Sequence, residues 1–366
     1  MSTQPDLGPV SRHRGPWSRT RAVLEAGRLT VGFLGGSITA PHTGTRWPEP
    51  FTAWLADRHP GVRLVVENAA IGATGSDLGA FRVGPEIVTR GCDLVFVEYA
   101  VNDHGTAPAR RRRTREGTLR QLLAAGIDVV LVHTFCPEML TDLDAGRVPA
   151  SVAEFEVLAD HYGLDSIWVG LHALREVRRG RLAWSDWLPD GLHPELRGSL
   201  LYAEAVIAHC TAALGAAPAT PRPAALPPAL DAGCWEKVSL AGLDRPELAG
   251  PWMLRRWTAC AGVDRVLLST VPGARLRLAF EGRGLVLGFS FGRLSSEVRY
   301  RVDGGAWQVT ARERPAWCGD HGWYRPTCVA DDLPPGRHEF ELETLDVPLE
   351  GGRGTVTALA LLGIIH

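Results

Sequence analysis

Ser37 stands at the end of the apolar run Val31-Gly32-Phe33-Leu34-Gly35-Gly36-Ser37-Ile38-Thr39, where β-prone residues stop abruptly at two glycines. Such a run reads as a buried strand ending in a sharp turn, with a hydroxyl placed on the turn. A serine hydroxyl is a poor nucleophile until a base takes its proton. The segment Asp190-Gly191-Leu192-His193-Pro194 offers that base. An aspartate shortly before a histidine, in a loop entering a helix, can reach back to one imidazole nitrogen. That fixes the tautomer whose other nitrogen faces the serine. Acyl transfer also needs donors aimed at the developing oxyanion. The Gly72 amide in the small-residue loop Glu67 to Ser76, the Asn102 side chain and the Ser37 amide can supply them.

Each of these residues has a plainer role open to it. Ser37 can cap a helix, Gly72 can serve only its backbone angles, and Asn102 can satisfy a turn. Asp190 and His193 can be an ordinary loop acid and a helix-start residue. What favours chemistry is that all of them fall at the carboxyl edge of one sheet, where open α/β folds bind ligands.

The elements that must hold them alternate. After the first strand, Pro48 to His59 has helical spacing in Phe51, Trp54 and Leu55, and Val62 to Val66 is a second strand. Ser76 is placed to cap a helix carrying Leu78, Phe81, Val83 and Ile87. Strands at Asp93 to Val97, Ile127 to Thr134 and Ser166 to Val169 alternate with helices at Thr114 to Ala125, Ser151 to Tyr162, Leu171 to Arg179 and Leu196 to Leu214. Alternation of this kind predicts a parallel sheet covered on both faces. Residues 215–230 are rich in Ala and Pro and read as a linker. Beyond it, short β-rich runs separated by Gly, Pro and Asp predict a β-sandwich or jelly-roll module over 231–366, after an extension at 1–27 and an α/β domain at 28–214.

A chain of 366 residues suits two domains, and its net charge of −2 gives no electrostatic reason to expect nucleic acid or an anionic membrane. The basic run Arg110 to Arg113 with Arg115 reads as the solvated face of a helix start. Without a secretory leader or a membrane-length apolar run, the expected location is the cytoplasm. Seven cysteines without C-x-x-C spacing suit reduced thiols. His42, His104 and His133 fall near strand ends without metal-ligand spacing, so neither metal nor other cofactor is expected. Trp235, Trp252, Trp257, Trp307, Trp317 and Trp323 are expected to pack the core of the β module, with stacking on sugars as the alternative.

Gly35-Gly36-Ser37-Ile38-Thr39, the loop Asn68 to Gly79 with Gly72, Ala100-Val101-Asn102-Asp103 and Asp190-Gly191-Leu192-His193-Pro194 together resemble the four sequence blocks of the SGNH/GDSL hydrolase superfamily, in the same order. The resemblance spans about residues 28 to 214. It implies a three-layer α/β/α sandwich of flavodoxin-like type, with Ser37 as nucleophile, His193 as base and Asp190 as its partner. Ser37, Gly72 and Asn102 would form the oxyanion hole. Two positions depart from the pattern: Gly36 replaces the usual Asp, and Ala100 the usual Gly. The expected activity is removal of a small acyl group, such as acetyl, from a carbohydrate or glycosylated metabolite. An acyltransferase with the same triad and a non-catalytic glycan-binding protein are the alternatives.

Overall fold

The computed structural model describes residues 7–41, 46–217, 225–349 and 352–366, so His42 and much of the 215–230 stretch lie outside the described residues. The chain divides into two compact units, Met1–Glu236 and Lys237–His366.

The first unit runs β1 (Ser11–Arg12), α1 (Ser18–Glu25), β2 (Arg28–Gly35), α2 (Pro48–Arg58), β3 (Arg63–Asn68), α3 (Ser76–Val83), β4 (Leu94–Glu98), α4 (Pro108–Ala124) and β5 (Asp128–Val132). It continues through α5 (Leu140–Asp144), α6 (Ala150–Tyr162), β6 (Asp165–Ile167), α7 (Val169–Arg178), α8 (Trp184–Trp187) and α9 (Leu196–Gly215). Its six strands order as β1-β6-β5-β4-β2-β3, parallel throughout except for β1. β4 and β5 are buried along their whole length, which is why their sequences are unbroken apolar runs. The helices on the two faces complete the three layers. From β2 the chain crosses to β3 in one direction and, by way of β4, to β5 in the other. The strand order therefore reverses beside β2, and it is outside the strands' carboxyl ends at such a reversal that open α/β sheets bind ligands.

Two boundaries differ from the sequence reading. Residues ahead of β2 are woven into the first unit: Asp165 accepts the Arg14 and Gly15 amides, each at 2.6 Å, and Asp128 accepts the Thr20 amide at 2.8 Å. At the other end the division falls past the Ala/Pro stretch. The Glu116 carboxylate on α4 takes the Leu230 and Asp231 amides at 2.6 and 2.9 Å, which draws the following residues onto the first unit. Trp235 thus lies in that unit, fully buried, its ring 5.8 Å from Phe81.

The second unit is a β-sandwich. One sheet is ordered β15 (Trp323–Ala330), β12 (Gly284–Phe291), β19 (Thr357–Ile365), β10 (Arg265–Ser269) and β9 (Met253–Arg256), with β7 (Val238–Leu240) also paired to β19. The other is ordered β14 (Gln308–Val309), β13 (Val298–Val302), β16 (Gly336–Thr344), β11 (Arg275–Gly282) and β8 (Glu247–Ala249). A separate hairpin joins β17 (Val347–Leu349) to β18 (Gly352–Gly354). β11 buries every second residue, Leu276, Leu278 and Phe280, against Leu287 and Phe289 of β12 and Leu359 of β19 in one shared core. The tryptophans of this unit are not in that core. Trp252, Trp257, Trp307 and Trp323 are half-buried and Trp317 is exposed. Their polar edges explain it: the Trp252 and Trp257 indoles donate to Arg275 O and Ser290 Oγ at 2.8 and 2.9 Å, while Trp307 sits under the Arg299 and Arg301 guanidiniums.

Candidate active site

After β2 ends at Gly35, the Gly36 carbonyl accepts the Thr39 and Ala40 amides at 3.1 and 2.9 Å, and this tight turn presents Ser37. Its Oγ lies 2.7 Å from His193 Nε2, and His193 Nδ1 lies 2.7 Å from Asp190 Oδ2. The second Asp190 oxygen accepts the Leu192 and His193 amides at 2.9 and 2.7 Å. Gly191 closes this small loop at φ 86°, a left-handed angle that a side chain would make costly. Partial burial pushes the Asp190 carboxyl up, but its bonds from the His193 amide, the His193 ring and the Leu192 amide outweigh it and hold the group down at about 2. An ionised carboxylate only accepts, so the imidazole proton resides on Nδ1, and Nε2 is free to accept from the serine hydroxyl.

The oxyanion candidates gather at the same turn. The chain leaving β3 stays bonded to the end of β2, with Ala69 N on Phe33 O at 2.9 Å and Ile71 N on Gly35 O at 3.0 Å. Gly72 is thereby set beside Ser37, close enough that a Cβ on it would meet Ser37 Cβ at 3.5 Å. The next residue, Ala73, is held at φ 55°, an uncommon angle for a residue with a side chain. After β4 the chain turns through bonds from Asp103 N to Tyr99 O and from His104 N to Val101 O, both 3.0 Å. The Asn102 carboxamide lies over Gly36, where a Cβ would fall 1.8 Å from its Oδ1. The Gly36 departure from the superfamily pattern is thus matched by a neighbour that occupies the space of its missing side chain.

Three supporting groups escaped the sequence reading. Asp103 takes the Ser76 amide on one oxygen at 2.9 Å and the Arg115 guanidinium on the other at 2.7 Å, so it ties the Gly72 loop to the Asn102 turn. Ser76 is accordingly the first residue of α3 rather than its cap: the cap comes from Asp103, and the Ser76 hydroxyl bonds Thr114 at 2.6 Å. The basic run also divides. Arg111 and Arg115 are buried, one helical turn apart on the inner face of α4, while Arg112 stays in solvent. Arg111 pairs with Glu154, and Arg115 also reaches Ser151 O and Tyr99 O. Glu98, fully buried at the end of β4, bonds Thr39, Thr134 and, at 3.4 Å, the Gly36 amide.

Among the described residues, one group has metal-ligand residue types close together: His13, Asp165 and His209. Its members are already engaged with one another and their neighbours. Asp165 takes four donors, and the two rings stack in nearly parallel planes, 4.1 Å apart at 10°. His104 and His133 stand apart from it, bonded to Ser151 and Glu156. Six of the seven cysteines are buried, and Cys328 is half-buried. No described helix is long and apolar enough to cross a membrane.

Residues 33–201 match the GDSL-like Lipase/Acylhydrolase family. No curated protein matches the chain in sequence. Among solved structures, a two-domain esterase (CEX) active on acetylated mannans, co-crystallised with mannopentaose, aligns at a TM-score of 0.83 and 20% identity, over 99% of this chain and 98% of its own. A second crystal structure of CEX gives the same score with 99% of each chain covered. A variant of Axe2, an acetyl xylan esterase from Geobacillus stearothermophilus, aligns with 50% of this chain and 94% of its own at 16% identity and a TM-score of 0.43. The CEX likeness shows a shared fold, a parallel-sheet α/β unit followed by an antiparallel β unit. The match to the GDSL-like lipase/acylhydrolase family covers residues 33–201, within the first unit.

Proposed function

We propose that the chain removes acetyl or another small acyl group from a carbohydrate or glycosylated metabolite through an acyl intermediate on Ser37. The observation that carries this reading is the relay of two 2.7 Å hydrogen bonds from Ser37 through His193 to Asp190. His193 Nε2 takes the hydroxyl proton as Ser37 Oγ attacks the acyl carbon, and Asp190 stabilises the imidazolium. The Ser37 and Gly72 amides and the Asn102 carboxamide hold the oxyanion, each worth on the order of 10²–10³ in rate. The proton then passes from His193 to the leaving alkoxide. Water, deprotonated by the same nitrogen, releases the acid and restores Ser37.

A sugar as the alcohol is supported by two observations. The fold is that of an esterase active on acetylated mannans. The second unit keeps all its tryptophans at least partly in solvent, with Trp317 and Trp323 centroids 4.7 Å apart, and aromatic faces of this kind stack on sugar rings. Labelling with a fluorophosphonate probe tests the nucleophile: an adduct on Ser37 is expected, and its absence in folded protein would favour a glycan-binding protein. Acetate release from acetylated manno-oligosaccharides, measured with and without added alcohols, tests the reaction. Acyl-alcohol products at the expense of free acetate would make it a transferase.

A further inference from the structure

We infer that Glu98 is a positioning residue for the reaction proposed above, a buried carboxyl that holds the Gly36–Ser37 turn and with it the seat of the Asn102 carboxamide. The inference rests on Ser37 being the nucleophile. Glu98 is the last residue of β4 and pairs with Gly35, the last residue of β2. The approach is close: a Cβ on Gly35 would fall 2.9 Å from Glu98 O and 3.1 Å from its Oε2. Oε2 takes the Gly36 amide at 3.4 Å and the Thr39 hydroxyl at 3.1 Å, so one oxygen grips both sides of Ser37.

The direction of these bonds follows from a neighbour. The Trp47 indole N–H can only donate, and it does so to Thr39 Oγ1 at 3.1 Å. Thr39 therefore spends its proton on Glu98, and Oε2 is an acceptor. Oε1 faces the Thr134 hydroxyl at 2.7 Å, which can donate to a carboxylate or accept from a carboxylic acid. Both protonation states thus keep every bond, and a glutamine with its amide nitrogen toward Thr134 would keep them as well.

The charge state matters because a negative charge under Gly36 opposes an oxyanion forming at the next residue. Burial pushes the Glu98 carboxyl up to about 7, against its bonds from Thr134, Thr39 and Gly36, and Asp103 adds to the rise. The other titratable groups nearby are the Tyr99 and Tyr202 phenols, both held in the neutral form by burial. Asp103 itself is paired with Arg115. The carboxylic acid is the productive form, and it is lost as pH rises through neutrality.

Glu98→Gln and Glu98→Met test this, with kcat and KM for p-nitrophenyl acetate followed from about pH 5 to about pH 9. Glu98→Gln is expected to keep turnover within about threefold at acid pH and to lose a descending step near neutrality that the parent enzyme shows. Glu98→Met, which cannot grip the turn, is expected to lower kcat by about tenfold or more with little change in KM. Should Glu98→Met fail to fold, the Gln profile and Thr134→Val decide: Thr134→Val removes the group that adapts to either state and should shift the step. A Gln profile that superimposes on the parent, or a folded Met variant with parental kcat, overturns the role. Fluorophosphonate labelling of Ser37 in the parent enzyme is run alongside. Its presence keeps the esterase reading when Glu98 fails, and its absence removes both.

Discussion

Arg115→Met removes the fully buried guanidinium that rests on Asp103. Three bonds go with it, to Asp103 Oδ2 and Ser151 O, each at 2.7 Å, and to Tyr99 O at 3.3 Å. Methionine replaces much of the apolar contact with Phe155, above which the guanidinium carbon sits 3.9 Å from the ring centre. The loss is therefore electrostatic. Breaking a buried ion pair from one side costs ~3–5 kcal/mol, since the remaining charge stays buried without its partner. Against a typical domain stability of ~5–15 kcal/mol that is a large share. Urea unfolding followed by tryptophan emission reads it, because Trp47, Trp187 and Trp235 are fully buried in the first unit. Adding Asp103→Asn removes the stranded charge and should restore ~1–3 kcal/mol relative to the single variant. A loss below ~1 kcal/mol for Arg115→Met, or a double variant no more stable than the single one, would refute the pair as the tie between the two loops.

Ser37→Ala and His193→Ala should each abolish turnover of p-nitrophenyl acetate while circular dichroism stays unchanged; parental rates in either would remove the triad. Asp190→Asn should lower turnover less than loss of the serine, since its part is orientation and charge support, and steady-state kinetics of both variants compare them. Gly36→Ala introduces a Cβ 1.8 Å from the Asn102 amide oxygen and should displace that carboxamide, with loss in kcat approaching that of Asn102→Ala; a parental kcat would show that Asn102 is not needed where it lies. Asp165 is buried, which raises its carboxyl, but its bonds from His209, Arg14 and Gly15 hold it down at about 2. Its folded value lies below its unfolded one, so it contributes roughly 2 kcal/mol above about pH 4 that fades as pH falls toward about 2. Acid unfolding of Asp165→Asn should have a shallower pH dependence, and an unchanged slope would contradict this.

The parallel sheet was legible because its central strands, β4 and β5, are buried on both faces and must be written as apolar runs. Ser37, Gly72 and Asn102 could be singled out because they come soon after strands, in small-residue or Asn-Asp turns, whereas Asp190 and His193 lie between α8 and α9 and stood out by their own spacing. What the sequence hid were partners distant in the chain. Nothing in Arg-rich residues 110–115 signals that Arg115 meets Asp103 and points inward, and nothing local to Ser76 tells that another segment caps its helix. β1 is only two residues long and β9 is exposed along its whole length, so neither carries a pattern to detect. The tryptophans misled for a related reason: an indole counts as apolar in a composition, yet its N–H seeks an acceptor that the sheet surface provides.

The short strand β1 lies antiparallel on β6, with Ser11 opposite Ile167 and Arg12 opposite Ser166. It is fixed there by the Ser11 hydroxyl on His209 at 2.6 Å and by Arg12 on Glu156 at 3.0 Å. It thus shields the outermost parallel strand of the sheet. Shortening the chain ahead of Arg28 would bare the backbone groups of β6 to any other extended segment in solution, an invitation to self-association that the intact protein withholds. Gel filtration of such a shortened chain should show larger species even where Ser37 still reacts.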